Sequence, residues 1–424
     1  MKPEKLVYLV LDGAADSVSQ HEPTVLESAR KPALDSLARH AICGMHYPIA
    51  PGVAPESDVA VLSLLGYEPE KYYTGRGPLE AIGAGLSIRE GYEVAFRGNF
   101  ATIDEATRRI IDRRVGRSLT SEEARKLAQS LDGMSLGDGC YARVRATVGH
   151  RVAVVIGCKD SLLSDQVDNV DPAYVRKGLI SVAVPNPDMR LRKCKPLVDT
   201  EEARRTCKLV DEFVEKSIEV LSKHPVNVER ARRGLLKANV ILLRDAGGRV
   251  PKLPPLNSIY GKSFGAIVEM PVERGIAIVS GMKVFEVEPP TGDLRRDLPE
   301  RLEKTLQALN EVDVVYVHLK GPDEPGHDGS FERKKRAVEL IDEEYVAPLL
   351  DRIDLEKVAI LVTSDHATPW PLKSHSGDPV PFMVSWAGIT SGVGRFSERV
   401  CRNGPILEHG WLLLRFAFEK IGWA

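Results

Sequence analysis

Three short apolar runs rich in β-branched residues, at positions 6–11, 314–319 and 358–364, each break off at an aspartate or just before one: Asp12, Asp323 and Asp365. Continuous apolar runs of this length, without polar alternation, predict strands buried on both faces, as in a parallel sheet covered by helices. Open α/β sheets bind ligands beyond the carboxyl ends of their strands. The three carboxylates are therefore expected to gather at one edge. Between these strands the pattern turns polar over 12–24, predicts a helix at 32–38, and passes into a Pro- and Gly-rich loop at 48–55. Ser57 then opens an apolar run, 59–65, which stops at Gly66 as a short helix would.

From about Gly91 to Gly265 the texture changes. Strand-like runs at 92–97, 151–156 and 240–243 accompany a long, charged, helical stretch at 200–223. The strand before Asp12 and the strands before Asp323 and Asp365 lie on opposite sides of this region in sequence. A core made of 1–88 and 268–424, interrupted by an inserted α/β cap at 89–267, is the expected organisation. The glycine-rich stretches at 85–92 and 261–275 are the expected crossings, where a cap could hinge. No internal repeat, low-complexity tract or heptad run is present.

A chain of 424 residues supports two domains, or three. Its formal net charge is -2, and charge clusters such as 333–336 are short, so nothing in the electrostatics asks for nucleic acid. The six cysteines contain no CxxC pair, and their spacing predicts neither a disulfide framework nor a thiolate metal site; a reducing cytoplasm is expected. No apolar stretch approaches the roughly 20 residues of a membrane span. Two nucleotide signatures fail: Gly261-Lys262-Ser263 lacks the glycine of a P-loop at Leu256, and Asp12-Gly13-Ala14-Ala15 is not a GxGxxG turn.

The candidate chemistry follows from what accompanies the aspartates. Any one of them could simply cap a helix. Together with His327, His366 and His375, however, they form a donor set suited to Mn, Zn or a related divalent ion. Ser57 could be a helix N-cap, or a hydroxyl activated by a cation. A serine beside two ions suits phosphoryl transfer, because paired ions neutralise charge on the phosphoryl group. Arginines of the insert, Arg97, Arg113, Arg114, Arg117, Arg151 and Arg244, could grip an anion. His318 and His409 are read as structural.

The residues also carry a resemblance. Asp12-Gly13, Pro55-Glu56-Ser57-Asp58-Val59-Ala60, Tyr73-Thr74-Gly75-Arg76-Gly77-Pro78, His318-Leu319-Lys320-Gly321-Pro322-Asp323 through His327-Asp328, Thr363-Ser364-Asp365-His366 and His375-Ser376-Gly377-Asp378-Pro379 resemble the archaeal-type cofactor-independent phosphoglycerate mutases of the alkaline phosphatase superfamily. The resemblance runs over nearly the whole chain. It implies an alkaline-phosphatase-like α/β core, a mostly parallel sheet flanked by helices, with an inserted α/β cap. It implies interconversion of 3-phosphoglycerate and 2-phosphoglycerate through a phosphoserine on Ser57, with two divalent ions (Mn, Co, Zn or Mg) and no bisphosphoglycerate. Asp12, Ser57, Asp365 and His366 would hold one ion; Asp323, His327 and His375 would hold the other. Asp112, Arg113, His150, Arg151 and Arg244 would contact substrate, and the cap would keep glycerate from escaping. The sequence departs from the family pattern at Ala173, where Asp-Pro-His is expected, and at Asp245, where glycine is more usual. A phosphopentomutase or a metal-dependent phosphatase would share the core ligands, and a non-catalytic binding protein would have no need of Ser57. A small-molecule substrate, a cytoplasmic location and no membrane or nucleic-acid partner complete the expectation, which leaves room for a homo-oligomer.

Overall fold

The run 6–11 is buried at every position because its strand, Lys5–Leu11, lies inside a sheet with apolar neighbours on both sides. The computed structural model describes residues 2–18 and 23–423; positions 19–22 of the polar loop expected at 12–24 lie outside the described residues. The chain divides into two compact units. One comprises Met1–Tyr73, Leu253–Glu269 and Ile276–Ala424, and the other Thr74–Lys252 and Met270–Gly275.

The first unit holds an eight-stranded sheet in the order Lys283–Val284, Phe264–Ile267, Val314–Leu319, Lys5–Leu11, Val358–Thr363, Val380–Ser385, Ala41–His46, Ile406–Leu407. Val380–Ser385 is antiparallel to both of its neighbours, and the other pairings are parallel. Helices Leu294–Leu309 and Phe331–Ile341 bury Leu298, Leu302, Val338 and Ile341 in the same core as Val7, Leu9, Val315 and Val317. The three strands that precede the aspartates are adjacent, with Leu11 opposite Leu319 and Val10 opposite Thr363. Their carboxyl ends are thus aligned, and the loops carrying Asp12, Asp323 and Asp365 emerge side by side.

The second unit is built on an antiparallel sheet ordered Val240–Gly247, Glu93–Ile103, Arg151–Cys158, Cys140–Ala146, Met134–Ser135. Alternation sorts its two faces. Val94, Phe96 and Phe100, with Val152, Val154 and Ile156, join a core shared with Val210 and Phe213 of the helix Glu201–Ser222. That helix starts where Thr200 accepts the Ala203 N–H as its N-cap. On the opposite face Arg97 pairs with Arg244, and Asn99 with Arg151.

The cysteines depart from expectation. Disulfides join Cys140 to Cys158 and Cys194 to Cys207, leaving Cys43 and Cys401 as buried thiols. Cys140 and Cys158 stand directly opposite each other on paired antiparallel strands, with Cα atoms 3.9 Å apart. Strand pairing creates that proximity, and no spacing rule along the chain announces it.

Candidate metal centre and active site

Two groups of potential metal ligands occur among the described residues: Asp12, Asp365 and His366, all buried, and Asp323, His327 and His375. In the first, His366 Nε2 lies 3.5 Å from Asp12 Oδ1, 3.2 Å from Asp365 Oδ2 and 3.2 Å from Ser57 Oγ. In the second, His327 Nε2 and His375 Nε2 are 3.1 Å apart, and each is 3.4 Å from Asp323 Oδ1. Donors bonded at about 2.0–2.2 Å to one tetrahedral or octahedral ion stand roughly 3.0–3.5 Å apart. Both groups have that spacing.

The hydrogen bonds behind the candidate ligands fit the same purpose. His375 Nδ1 is 2.7 Å from Pro55 O and His327 Nδ1 is 3.1 Å from Lys373 O. A carbonyl oxygen can only accept, so both Nδ1 atoms carry the proton, which leaves each Nε2 lone pair facing Asp323. Metal-bound imidazoles are held this way in general. Asp12 Oδ1 and Asp365 Oδ2 are buried with no hydrogen-bond partner among the described residues, a costly state for a carboxylate unless a cation is to be bound. The charges are mutually adjusted. Burial pushes the Asp365 carboxyl up, but His366 and His318, when protonated, outweigh it and hold the group well below the usual carboxylate range. Asp323 is depressed likewise when the rings around it are protonated, with His375, His366 and His327 then prevailing over burial. The residues fit two divalent cations.

Local backbone brings these groups together. Gly13 turns at φ +61° just after Asp12, where an added Cβ would lie 2.7 Å from both Asp323 Oδ1 and Thr368 Oγ1. Only glycine lets the first loop pass so close to the second and third. Gly13 N–H donates to Asp365 Oδ1, and Ala14 N–H to Ser364 Oγ.

Ser57 departs from the N-cap reading. Glu56 occupies the cap position, and Ser57 is the first residue of the helix Ser57–Leu64. Its hydroxyl is directed at His366 instead. Several neighbours escaped the sequence reading. Lys320 Nζ sits 3.1 Å from Asp12 Oδ2. His318 is buried as expected for a packed histidine, but its Nε2 is 3.5 Å from Asp365 Oδ2 and 3.8 Å from Asp12 Oδ1. Thr368 Oγ1 lies 2.7 Å from Asp323 Oδ1 and 3.0 Å from His366 Nδ1. Lys320 and Thr368 fall within or just beyond the motifs already singled out, which was the available signal. His409 bonds Ile49 O and stacks on Trp411, away from these ligands in its contacts.

The second unit gathers arginines on one face of its sheet. Gly77 allows the helix Arg76–Gly83 to approach the strand backbone, since a Cβ there would meet Ala95 O at 2.5 Å. Glu80 is thereby placed 2.9 Å from Arg76 and 3.6 Å from Arg97. Burial, and after it the charges of Arg244 and Arg76, push the Arg97 guanidinium down to about 9, against Glu80 and Asp245. His150 is pushed down to about 3, first by burial and then by Arg151, Arg114, Arg97 and Arg117. It is a neutral ring among cations, and the cluster as a whole favours an anion. Arg244 stacks over Tyr174 at 3.9 Å. Arg113 clamps Asp171 through Nε at 2.9 Å and through Nη2. Asp112 accepts the N–H groups of Arg114 and Gly116, closing its own turn.

Known proteins share this chain's features along its length. A profile of the 2,3-bisphosphoglycerate-independent phosphoglycerate mutases matches residues 38–227. A protein of that name from Aeropyrum pernix is 53% identical over 406 residues, covering 95% of each chain. The chain belongs to this family. A relative from Archaeoglobus fulgidus bearing the name 2,3-bisphosphoglycerate-independent phosphoglycerate mutase 1 is 39% identical over 98% of both chains. Among solved structures, the cofactor-independent phosphoglycerate mutase of Thermoplasma acidophilum is 30% identical, with 98% of this chain and 99% of that one covered and a TM-score of 0.59. A Pyrococcus horikoshii protein superposes with a TM-score of 0.76 at 27% identity, over 100% and 99% of the two chains. The resemblance read from the motifs is borne out, and the mixed α/β fold class with it. The phosphopentomutase and phosphatase alternatives are not favoured.

Proposed function

We propose that the chain, an isomerase by its family, interconverts 3-phosphoglycerate and 2-phosphoglycerate through a phosphoserine on Ser57. Asp12, Ser57, Asp365 and His366 would hold one divalent ion, and Asp323, His327 and His375 a second, drawn from Mn, Co, Zn or Mg. Ions bound there supply positive charge that neutralises a phosphoryl group and lowers the pKa of a nearby hydroxyl. In the first phase the Ser57 Oγ–phosphorus bond forms as the bond from phosphorus to O3 of glycerate breaks. The proton lost by Ser57 is balanced by the one gained at O3. In the second phase the phosphoryl group passes to O2 and Ser57 recovers its proton, so no bisphosphoglycerate is consumed.

The observation that carries this reading is the orientation of the imidazoles. His327 and His375 each spend Nδ1–H on a backbone carbonyl and turn Nε2 toward Asp323, while Ser57 Oγ faces the neighbouring set through His366. The first unit is read as the metal-binding catalytic core, and the second as the substrate-binding cap. Asp112, Arg113, His150, Arg151 and Arg244 belong to the cap's reading: the neutral His150 and the arginines around it supply anion binding, with Asp112 and Asp171 holding backbone and guanidinium in place. A cytosolic place completes the reading. No helix among the described residues is long and apolar enough to cross a membrane.

A coupled assay on 3-phosphoglycerate decides the matter. Activity should need no added bisphosphoglycerate, vanish on chelation and return with divalent ions, and acid-quenched enzyme should carry phosphate on the Ser57 peptide. Full turnover by metal-free protein, or phosphate on no serine during turnover, would refute the reading.

A further inference from the structure

Thr368 stands between the two ligand groups and touches one member of each. Its hydroxyl has a single proton. Asp323 Oδ1, 2.7 Å away, belongs to an ionised carboxylate and can only accept, so that proton is committed to Asp323. The other contact, His366 Nδ1 at 3.0 Å, must then be one in which the ring donates and the hydroxyl oxygen accepts. The chain of donors therefore runs one way: His366 Nδ1–H to Thr368 Oγ1–H to Asp323 Oδ1. This direction fixes the His366 tautomer, with the Nε2 lone pair left for the group that contains Asp12, Asp365 and Ser57.

We propose that Thr368 is a positioning residue that sets the tautomer of His366 and the orientation of Asp323 together, and so links the two metal sites. The proposal rests on the reading of these groups as metal ligands. Its geometry is rigidly supported. Thr368 is fully buried. Its backbone N–H donates to Ala15 O at 3.0 Å, and its carbonyl accepts from Lys334 Nζ at 2.9 Å. Its methyl packs so closely on Gly326 that a Cβ there would lie 2.9 Å from Thr368 Cγ2. These contacts fix the backbone of Thr368 and pack its methyl, and the hydroxyl is left between Asp323 and His366. A partner behind a metal-bound histidine is typically worth about 10- to 100-fold in metal affinity, and here one hydroxyl serves a ligand of each site.

The test compares Thr368→Val, of similar shape but without the hydroxyl, with Thr368→Ser, which keeps it. Zinc and manganese affinities are measured by titration calorimetry and by metal counting after dialysis, and the protonated ring nitrogens of ¹⁵N-histidine-labelled, zinc-loaded protein are followed by NMR. Thr368→Val is expected to lose about 10- to 100-fold in affinity at both sites and to lose the Nδ1–H resonance of His366, those of His327, His375 and His409 remaining. Thr368→Ser is expected to stay within about threefold of the unaltered protein, a margin small against the expected loss, and to retain the His366 resonance with the others. Thermal unfolding of the chelator-treated proteins separates a folding defect from a metal defect, and Thr368→Ala replaces the valine variant if that one does not fold. Val or Ala variants that bind two ions with unaltered affinity and spectrum overturn the positioning role alone. A Ser variant that loses affinity as the Val variant does overturns it as well, since the hydroxyl would then not be the active feature. Failure of the unaltered protein to bind any divalent ion overturns both this inference and the metal reading beneath it.

Discussion

Lys334 Nζ lies 2.6 Å from Asp16 Oδ1, with both side chains buried. The ammonium also donates to Ala15 O and to Thr368 O, each at 2.9 Å, so all three of its protons are used. One lysine thus ties the loop that follows Asp12 to the loop that follows His366. Burial lowers its pKa and the Asp16 charge works against that. Lys334→Met fills a similar volume but leaves the Asp16 carboxylate without its cation. Breaking one half of a buried pair costs about 3–5 kcal/mol, so the variant should unfold at clearly lower denaturant concentration. Its divalent-ion affinity should fall too, because the loops bearing the ligands lose their common anchor. A variant as stable as the parent would show that the lysine carries no structural weight.

Ser57→Ala separates two roles for one side chain. The helix Ser57–Leu64 begins at Glu56 and does not depend on the serine for a cap. Stability should therefore change by a few tenths of a kcal/mol, in the range of ordinary surface substitutions. Mutase activity should drop by at least about 10³ if the hydroxyl accepts the phosphoryl group. Urea titrations and the coupled assay on one preparation read both quantities.

If the two groups hold metal ions as proposed, removing single candidate ligands should affect them unequally. His327→Ala and His375→Ala take Nε2 donors from the group around Asp323, whereas Asp365→Asn weakens the group around His366. Metal analysis should find about one ion per chain in each variant, retained at the site whose ligands are intact. Loss of both ions from every variant would instead mean that the two sites fold as one.

Much of this was legible because strand periodicity is local. The three runs ending near Asp12, Asp323 and Asp365 are buried on both faces, and a single-sequence pattern records that directly. His327, one helical turn beyond Asp323, could be read from spacing for the same reason. Lys334 could not. It lies in the basic cluster 333–336, which reads as a solvated face, yet the helix Phe331–Ile341 turns this one position inward to a carboxylate more than 300 residues away. The Cys140–Cys158 pair was hidden by the same kind of long-range register. Arg113 and Asp171 belong together in three dimensions but share no local pattern. What the sequence withholds is the pairing of side chains across loops, where a few ångströms of backbone placement decide the partner.

Glu398 offers a pH prediction of definite sign. The side chain is fully buried, accepting the Asp16 N–H at 2.9 Å and the Thr24 hydroxyl at 2.6 Å. Burial, joined by the Asp16 charge, pushes its pKa up to about 7 from an ordinary 4.5. The folded state thus holds the proton more tightly than the unfolded chain. Its contribution to stability is complete below about pH 4.5, declines as pH rises toward 7, and is constant above that. The difference amounts to about 3 kcal/mol at most. Glu398→Gln cannot ionise, so the stability of the parent relative to this variant should fall between pH 5 and pH 7 and then level off. Guanidinium unfolding of both proteins at pH 5, 6, 7 and 8 measures it, and a constant difference across that range would show that Glu398 is ionised throughout.

The arginine face of the second unit makes the last prediction. Arg244 is mostly buried and stacked on Tyr174, and Arg151 opens the strand that pairs with Asn99. If these guanidinium groups hold the anionic substrate, weakening them should let glycerate leave after Ser57 has taken the phosphoryl group. Water would then release phosphate, and the enzyme would drift from mutase toward phosphatase. A charge-assisted hydrogen bond is worth about 1.5–3 kcal/mol, so Arg244→Ala or Arg151→Ala should lose roughly ten- to hundredfold in kcat/KM. The ratio of free phosphate to isomer should rise at the same time. Arg244→Lys keeps the charge but not the planar, bidentate and stacked geometry, and should fall between the two. Metal content should be unchanged in all three, because every candidate ligand lies in the first unit. Wild-type kinetics with no added phosphate release would mean that these arginines serve the folding of their own unit, while the assignment of Ser57 and the metal ligands would stand on its separate tests.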